Sequence, residues 1–366
     1  MNPPVVAYFL GTNNDWGGAS RALLNFVRKL DRAAFTPLVI IPTPGPLQQI
    51  LAAQGIRCEV WPIHDRSRNL PGYAFDVIRS MAFFRRQRIA LAHLNYGAIG
   101  WKPAEILAAR LLRIPLINHF HTAVKTASSY LRYSASVIGV SGYVCRQSDH
   151  RGVPCHVVHN VADFDRFGHG RPKRSEIGLR ADSVVVGFFG QVRRIKGIRL
   201  FLELARRVPG REVEFLIAGE LKGEDTFPPD EFERMLGGDA RIKYLGYRED
   251  VQDLYASCDI VVMPSQWEEP CAMVLFEASA AGKPIVATAT GGTPEILMDG
   301  DTGYLIERSD IDALVERVHK LVGSQELRRS MGARAKQSAA EKFVSAPVRQ
   351  LEGLYRQLLE PRQPPA

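Results

Sequence analysis

Two glutamates, Glu269 and Glu277, lie eight residues apart where an apolar strand candidate gives way to a loop and then a helix. The strand ends at Pro264, and Pro270 suits the first helical position because no N–H donor is needed there. Backbone N–H groups at a helix start are unpaired and lie at the positive end of its dipole, so they favour phosphate groups. The donors expected here belong to Cys271, Ala272, Met273 and Val274.

A carboxylate in such a loop can accept hydrogen bonds from sugar hydroxyls, which is the chemistry that we expect of Glu269. Glu277, about two turns into the helix, would reach a ribose diol. Spacing alone leaves an alternative open, in which both glutamates are ordinary surface carboxylates.

A second set of polar residues lies in the loop from Gly190 to Gly197, which follows the apolar segment 184–189 and opens the next helix. Lys196 could pair with a phosphate, and Gly190 would let the backbone approach it. A basic loop that binds nothing is the alternative.

The loop from Asp15 to Ser20 follows the first strand candidate, and its glycines, Gly17 and Gly18, would let backbone N–H groups approach a ligand. The loop lacks the Gly-x-Gly-x-x-Gly spacing, and no acidic residue ends the second strand candidate. NAD binding is therefore disfavoured.

Two patterns could suggest a metal. His119 and His121 lie two apart at a strand end and face the same side if the strand stays extended, but no carboxylate cluster joins them. Asp163-Phe-Asp165 has the form of a metal-binding Asp-x-Asp, yet its place in a loop favours a turn. We therefore expect no metal site.

Strand and helix candidates alternate along the whole chain, as in parallel α/β sheets covered on both faces. In the first half, the strand candidates are 5–10, 37–41, 57–61, 89–94, 115–121, 136–140 and 155–159, with helices at 19–30, 74–86 and 103–112. In the second half, strands at 184–189, 214–218, 242–245, 260–263 and 284–287 accompany helices at 197–207, 249–257, 271–281, 294–298 and 310–322.

The segment 167–183 separates the two halves, is rich in Gly, Arg and Lys, and is expected to connect two domains. Two doubly wound domains in tandem leave a cleft between their loops, where ligands bind at the carboxyl ends of strands. The helical stretch 346–359 would cross back onto the first domain.

Composition fits a soluble protein of two domains: 46% of the 366 residues are hydrophobic, 23% are charged, and no run of 18 apolar residues occurs. The N-terminus lacks a basic segment followed by a cleavage site, so we expect a cytoplasmic protein. The five cysteines are scattered singly, without the spacing of a zinc or redox site.

Positive charge is concentrated in the first half of the chain. Residues 1–175 hold 22 Lys/Arg and 9 Asp/Glu, against 25 and 30 in the rest. The basic side chains on and around helix 74–86 are Arg79, Arg85, Arg86 and Arg88, with Arg66, Arg68, Arg110 and Arg113 nearby. Interleaved with Met81, Phe83 and Phe84, they suit an anionic membrane surface or a phosphate-bearing acceptor, unless the phenylalanines pack inward.

In this order the motifs resemble glycosyltransferase family 4, the group 1 glycosyltransferases. The matching residues are Gly17-Gly18-Ala19, His121, Ser141, Asn160, Asp163, Phe167, Gly190 to Gly197, Leu245-Gly246, Asp250 to Tyr255, Pro264-Ser265, Glu269 to Glu277, Gly282 to Thr288, Gly291-Gly292, Glu295 and Asp299 to Gly303. The resemblance implies the GT-B fold, two doubly wound Rossmann-like domains facing each other across a cleft. It divides the chain into an acceptor domain, 1–167, a nucleotide-sugar domain, 168–345, and a C-terminal helix, 346–366, that packs back on the first.

The resemblance also implies retention of anomeric configuration without a metal or cofactor, with a nucleoside-diphosphate sugar as co-substrate. Glu269 would hold donor-sugar hydroxyls, Lys196 and the N–H groups of residues 271–274 would neutralise the diphosphate, and Glu277 would contact the ribose. His121 would lie beside the reacting sugar, and Gly18 would approach the diphosphate. The loop of Gly246, Tyr247 and Arg248 would receive the base, and UDP is favoured over GDP.

The chain departs from the family pattern at three places. Gln191 stands where the family commonly has Arg, so Arg193 or Arg194 would supply the missing charge. No Gly follows Asn160, and Cys271-Ala272 replaces Phe-Gly. We interpret these changes as a difference in donor handling, because Lys196 and both glutamates remain.

The expected function is transfer of a hexose or related sugar to a glycan or lipid-linked acceptor in cell-surface polysaccharide or glycolipid synthesis, in the cytoplasm or on the inner face of the membrane. The alternatives are a nucleotide-sugar epimerase, a phosphorylase and a non-catalytic module that binds sugar nucleotides. Nucleic acid is not an expected partner, because no reading motif accompanies the basic residues.

Overall fold

The computed structural model describes residues 2–13, 17–62, 70–95 and 104–360. Its contacts divide the chain into two compact units. Unit 1 comprises residues 1–161 and 345–366, and unit 2 comprises residues 162–344. The chain thus enters unit 2 after residue 161, whereas the sequence placed this boundary after residue 167.

Unit 1 is a doubly wound α/β unit. Its strands are β1 (Val5–Phe9), β2 (Thr36–Ile41), β3 (Arg57–Val60), β4 (Ile89–Leu94), β5 (Leu116–Phe120), β6 (Ser136–Gly139) and β7 (Cys155–Val157). Its helices are α1 (Gly18–Lys29), α2 (Pro46–Ala52), α3 (Leu70–Gln87), α4 (Ala104–Leu111), α5 (Gly142–Gln147) and, after unit 2, α14 (Ala346–Leu359). The strands pair in parallel in the order β3-β2-β1-β4-β5-β6-β7.

The central strand β1 of unit 1 is apolar on both faces, as expected for a parallel sheet between two helix layers. In β1, Val6 and Tyr8 pack into a core with α1 and α14, while Ala7 and Phe9 pack against α3 and α4. Side chains of α14, including Leu351 and Tyr355, are fully buried in the first of these cores.

Unit 2 repeats this architecture. Its strands are β8 (Val184–Phe189), β9 (Val213–Ala218), β10 (Ile242–Tyr244), β11 (Ile260–Met263), β12 (Ile285–Thr288) and β13 (Gly303–Ile306). Its helices are α6 (Phe164–Phe167), α7 (Ile198–Arg207), α8 (Pro229–Leu236), α9 (Val251–Ser257), α10 (Met273–Ala280), α11 (Thr293–Ile296), α12 (Ile311–Val322) and α13 (Gln325–Phe343). The parallel sheet has the order β10-β9-β8-β11-β12-β13.

In each sheet the chain winds outward from one central strand and later returns to its other side. The reversal falls between β1 and β4 in unit 1 and between β8 and β11 in unit 2. Ligands of doubly wound sheets bind outside the carboxyl ends of the strands at this point. In unit 2 those ends carry the loops with Lys196 and Glu269.

The segment 167–183, expected to connect two domains, lies within unit 2. Arg174 forms an ion pair with Asp259 at 2.6 Å, and Lys173 pairs with Asp253 at 2.9 Å. These contacts attach the basic segment to the start of β11 and to α9.

All five cysteines lie within the described residues, and they form no disulfide bond. Over the part of the chain that the structure describes, each helix is too short or too polar to cross a membrane.

Candidate functional site

Glu269 occupies the loop between β11 and α10 and is only 2% exposed. Its Oε1 accepts hydrogen bonds from Lys196 Nζ at 2.7 Å, Ser265 Oγ at 2.6 Å and Trp267 Nε1 at 2.8 Å. Burial disfavours a charge unless donors surround it, and three donors here converge on one oxygen. Glu269 is therefore a fixed, ionised acceptor rather than a surface carboxylate.

Lys196 reaches Glu269 from the loop between β8 and α7. It ends a 3-10 turn, Arg194–Lys196, and its Nζ lies 5.0 Å from the ring centroid of Trp267. Gly197 follows with a φ of 78°, and a Cβ there would lie 1.8 Å from the Pro264 carbonyl oxygen. The two loops are thus in backbone contact, which any side chain at position 197 would prevent.

A third loop supports Glu269 from behind. Gly292 donates its N–H to the Glu269 carbonyl oxygen at 2.7 Å. Gly291 has a φ of 56°, and a Cβ on it would lie 2.1 Å from that same oxygen. The neighbouring Glu268 points elsewhere: it accepts from the Gly291 N–H and pairs with Arg308 at the surface.

The start of helix α10 corrects a prediction. The helix begins at Met273 with Ala272 as its N-cap, so Pro270 is not its first residue, and Cys271 and Ala272 still belong to the loop. Contacts of the Glu269 backbone with Gly291 and Gly292 hold the chain just before Pro270, and the chain bends at Pro270 and Cys271 before the helix begins. The outward N–H groups of the first turn are those of Met273 and Val274.

Glu277 lies on α10, is 7% exposed and accepts a hydrogen bond from Tyr255 Oη at 2.9 Å. The Tyr255 ring stacks on Phe189 at the end of β8, with ring centroids 3.8 Å apart. Helix α9 and strand β8 thereby fix the carboxylate that we expected to reach a ribose.

Other predicted donor-binding residues lie on the same edge of unit 2. Gln191 is exposed in the β8–α7 loop. Arg193 forms an ion pair with Asp225, and Arg194 pairs with Glu231 at 3.3 Å and stacks on Phe227 at 4.1 Å. Both arginines were expected to supply the charge that is missing at position 191, and both form ion pairs with acidic side chains of unit 2.

The loop expected to receive a base follows β10. Tyr247 is 46% exposed there. Arg248 donates two hydrogen bonds to Asp250, at 2.7 and 2.8 Å. An exposed aromatic ring at the end of a strand is suited to stacking against a flat ligand.

In unit 1, His121 lies just after β5 and is half-buried. Its Nε2 is 2.8 Å from Asn95 Oδ1, and Asn95 donates its own Nδ2–H to the Ala19 carbonyl oxygen at 3.2 Å. Because that bond fixes the Asn95 amide, its Oδ1 faces His121, so the His121 proton is on Nε2 and Nδ1 is the acceptor. Burial lowers the pKa of His121 to about 4, so the ring is neutral near pH 7.

Rings of His119 and His121 lie side by side, with centroids 4.3 Å apart, as the spacing predicted. No group of three metal-binding side chains occurs within the described ranges. Gly17 is the N-cap of α1 with a φ of 110°, and Gly18 is its first residue. Asp15 and Trp16, from the same motif, lie outside the described residues.

Helix α3 does not present its arginines and phenylalanines on one face, which was one of the two interpretations of its sequence. Phe83 and Phe84 are 3% and 1% exposed and pack inward, so they do not share a face with the arginines. The exposed side chains of the helix include Arg79, Arg85 and Arg86 together with Leu70, Phe75 and Ile78, and the exposed Arg88 directly follows the helix. Arg66 and Arg68 lie outside the described residues.

Sequence reasoning assigned no role to several residues that hold the site together. Ser265 and Trp267 stand within four residues of Glu269, so a search for polar side chains in that loop would have found them. Asn95 and Tyr255 carry no comparable signal, because each meets its partner only through the fold.

Known proteins resemble both halves of the chain. The model of Glycosyltransferase Family 4 matches residues 16–166, and that of Glycosyl transferases group 1 matches residues 171–338. The D-inositol 3-phosphate glycosyltransferase of Corynebacterium jeikeium is 28% identical over 94% of this chain and 92% of its own length.

Solved structures of other proteins resemble this chain over almost its whole length. Anabaena Alr3699/HepE, crystallised with UDP and glucose, has a TM-score of 0.77 at 22% identity, over 97% of this chain and 99% of that one. A glycosyltransferase from Rickettsia africae reaches a TM-score of 0.84 at 18% identity, over 98% and 100% of the two chains. Family matches on both units and this shared architecture lead to one assignment: the chain belongs to glycosyltransferase family 4, the group 1 glycosyltransferases, and has the GT-B fold.

Proposed function

We propose that this glycosyltransferase moves a hexose or related sugar from a nucleoside-diphosphate sugar to a glycan or lipid-linked acceptor, with retention of configuration and without a metal. The observation that carries the proposal is the buried Glu269, whose Oε1 is fixed by Lys196, Ser265 and Trp267 at the reversal point of the unit 2 sheet. Sugar hydroxyls need such a rigid acceptor, and a diphosphate needs the adjacent cation.

Each donor group has a proposed place on unit 2. Glu269 holds hydroxyls of the transferred sugar, Lys196 and the first-turn N–H groups of α10 face the diphosphate, and Glu277 contacts the ribose. Gln191, Arg193 and Arg194 border the diphosphate, Cys271 and Ala272 line the loop, and Tyr247 faces the base. From unit 1, His121 meets the reacting sugar through its acceptor Nδ1, and Gly17 and Gly18 approach the diphosphate.

The proposed reaction is a substitution on one face of the sugar. The bond from the anomeric carbon to the diphosphate oxygen breaks, and its electron pair remains on that oxygen. The acceptor hydroxyl oxygen bonds to the anomeric carbon, and its proton passes to the leaving phosphate. Lys196 and the N–H groups of Met273 and Val274 then stabilise the charge that develops on the diphosphate. A covalent glycosyl-enzyme adduct trapped in a digest would contradict this path.

UDP is the proposed nucleotide, and the Anabaena structure supports it because that protein was crystallised with UDP and glucose. The acceptor has two candidates. A lipid-linked glycan suits the exposed apolar and basic face of α3. An inositol phosphate is the second, because the Corynebacterium jeikeium relative carries D-inositol 3-phosphate in its name.

A donor panel tests the proposal directly. The full chain is melted with UDP- and GDP-sugars, and its true donor should raise the Tm because it binds only the folded state. With that donor, glycan-lipid and inositol phosphate acceptors are compared for release of nucleoside diphosphate and for the anomeric configuration of the product. Formation of a lengthened acceptor together with release of nucleoside diphosphate would distinguish sugar transfer from the epimerase and phosphorylase reactions.

The matched variants are Glu269→Gln and Glu268→Gln. The first should lower turnover at least about 100-fold, because it removes a fixed charge beside the reacting sugar. The second changes an adjacent, surface-paired glutamate and should stay within about threefold of the wild type. Wild-type turnover in Glu269→Gln would show that transfer does not need Glu269, whereas a donor that raises the Tm without any turnover would favour a module that binds sugar nucleotides without catalysis.

The proposed location is cytoplasmic, with unit 1 docked on the anionic inner face of the membrane through α3. Phe75 and Ile78 are 60% and 63% exposed, Arg85 and Arg86 follow them along the helix, and Arg88 comes directly after its last residue. Apolar side chains among basic ones are typical of interfacial helices. Leu111, on α4, is a further exposed apolar side chain of unit 1, at 56%.

Flotation with vesicles containing anionic lipid tests this docking. Changing Arg85, Arg86 and Arg88 to Glu should abolish flotation, whereas the same change at Arg199, Arg211 and Arg329, exposed on unit 2, should not. Equal flotation of both triple variants would exclude α3 as the docking surface.

A further inference from the structure

A chain of buried polar rings runs through unit 1 from the last helix to His121. Tyr355 of α14 places its Oη 2.7 Å from His93 Nδ1. His93, on β4, places its Nε2 3.1 Å from His119 Nδ1 on β5. The ring of His119 then lies against that of His121. We call Tyr355, His93 and His119 the ring chain.

The ring chain stands where a parallel sheet normally carries apolar side chains. All three of its residues are 0% exposed, and Leu91 and Ile117, which belong to the same core, flank it on β4 and β5. A buried polar group costs free energy unless it is hydrogen-bonded, so leucine or phenylalanine would suit the core at least as well. Burial also lowers the pKa of His93 to about 3 and that of His119 well below its usual range, so both rings are neutral.

The direction of the hydrogen bonds follows from the one nitrogen that has no partner. His119 Nε2 is buried without a hydrogen-bond partner. A buried N–H without an acceptor is rarer than a bare acceptor, so the His119 proton belongs on Nδ1. His119 then donates from Nδ1 to His93 Nε2, and His93 donates from Nδ1 to Tyr355 Oη.

We propose that Tyr355 is a positioning residue for His121: through His93 it fixes the ring plane of His119, on which the His121 ring rests. Asn95 accepts a hydrogen bond from Nε2 of the His121 ring, and His119, the last member of the ring chain, packs against the face of that ring. Together they direct the acceptor Nδ1 of His121. The significance for catalysis rests on the proposed function, whereas the positioning itself does not.

The experiment compares Tyr355→Phe with Ser134→Ala in the full chain. Tyr355→Phe removes only the hydroxyl that accepts from His93. Ser134→Ala removes another buried hydroxyl, which accepts from Asn118 Nδ2 at 2.6 Å. Asn118 precedes His119 in β5 and therefore points to the opposite face of the sheet. Each variant removes one buried hydroxyl of unit 1, but only the first interrupts the ring chain.

Histidine ring ¹⁵N–¹H correlation spectra near pH 7 provide the readout, with His121 assigned by its absence from His121→Asn. In the wild type, His121 should carry its proton on Nε2, and His93 and His119 should carry theirs on Nδ1. In Tyr355→Phe, the His121 signals should shift or split, and kcat should fall about fivefold, the factor for a hydrogen bond worth about 1 kcal/mol, with donor KM unchanged. Ser134→Ala should match the wild type in both measurements.

Wild-type His121 signals in Tyr355→Phe would overturn the proposal. So would a wild-type spectrum in which only one of His93 and His119 carries its proton on Nε2, because the facing nitrogens of the two rings could then form no hydrogen bond. This result decides the question even if Tyr355→Phe does not fold. Shifted His121 signals with an unchanged kcat would support the positioning and count against the catalytic role of His121. The two proposals can therefore fail separately.

Discussion

Glu269 in unit 2 and His121 in unit 1 are both fixed by their neighbours, but by opposite electrostatics. Glu269 is a buried charge held by the Lys196 cation and two neutral donors. His121 is a neutral ring held by an amide and by other neutral rings. A charged cluster is weakened by removing its counter-charge, whereas a neutral cluster is weakened by adding a proton. The two units should therefore respond differently to substitution and to acid.

Acid should produce the largest difference between the units. His93 has a pKa of about 3 in the folded protein, and that of His119 is also depressed, whereas an unfolded histidine has a pKa of about 6.5. The unfolded state thus binds more protons below pH 6.5, so stability is complete above that pH and declines as the pH falls toward 3. At pH 5 His93 should cost about 2 kcal/mol, and His119 should add to this loss of stability.

Hydrogen exchange between pH 7 and pH 5, corrected for intrinsic rates, measures this effect by region. Strands β4 and β5 should lose protection before β8 and β11, because the unit 2 histidines, His169 and His319, are exposed. Equal loss in both units would show that the buried histidines are not held neutral.

Lys196→Met should have the next largest effect. It leaves the 2%-exposed Glu269 without its counter-charge, which should lower the free energy of unfolding by about 3 kcal/mol and kcat/KM by about 100-fold. Arg199→Met is the control, because Arg199 is 59% exposed and lies 3.6 Å from Glu231. Urea titration and initial rates check both variants, and similar losses for both would argue against a special role for Lys196.

Asn95→Ala, which changes the surroundings of His121, should have a smaller effect on activity than Lys196→Met. The variant removes the oxygen that accepts from His121 Nε2, while the Lys196 and Glu269 pair is untouched. We expect kcat to fall about tenfold, as for the loss of one hydrogen bond that orients a reacting group, with the donor-induced rise in Tm retained. Loss of that Tm rise would show that Asn95 acts on donor binding instead.

Tyr255→Phe should have the smallest of these effects. It removes the hydroxyl that donates to Glu277, without changing the stacking on Phe189. One neutral donor to a carboxylate contributes about 1 kcal/mol, so donor KM should rise about fivefold with little change in kcat. A fall in kcat alone would place Glu277 near the reacting atoms rather than at the ribose.

Most strands could be predicted from the sequence because each is a short apolar run, and β8 and β11 have the predicted bounds. Strand β13, Gly303–Ile306, was missed because four residues carry no alternation, and only pairing with β12 defines it. Helix α13 was missed because its buried face is made mainly of small residues, such as Ala335 and Ala339, which give no hydrophobic stripe.

Residues of the candidate site could be predicted from short local motifs. Contacts between residues that are distant in the sequence could not be predicted, because only the fold brings them together. Glu269 and Lys196 were identified from their loops, but the start of α10 was misplaced because contacts with Gly291 and Gly292 outweigh the preference of Pro270 for a helix start. The pairing of His93 with Tyr355 spans 262 residues, so no local pattern could indicate it.

The position of α14 has a consequence for synthesis on the ribosome. Unit 2 is one continuous segment, whereas unit 1 needs residues from both sides of it. Unit 2 therefore has all its strands and helices when the chain has emerged to residue 344, while β4 still lacks the tyrosine that pairs with His93. N-terminal domains usually fold first during synthesis, whereas in this chain the N-terminal unit is the last to have all its elements.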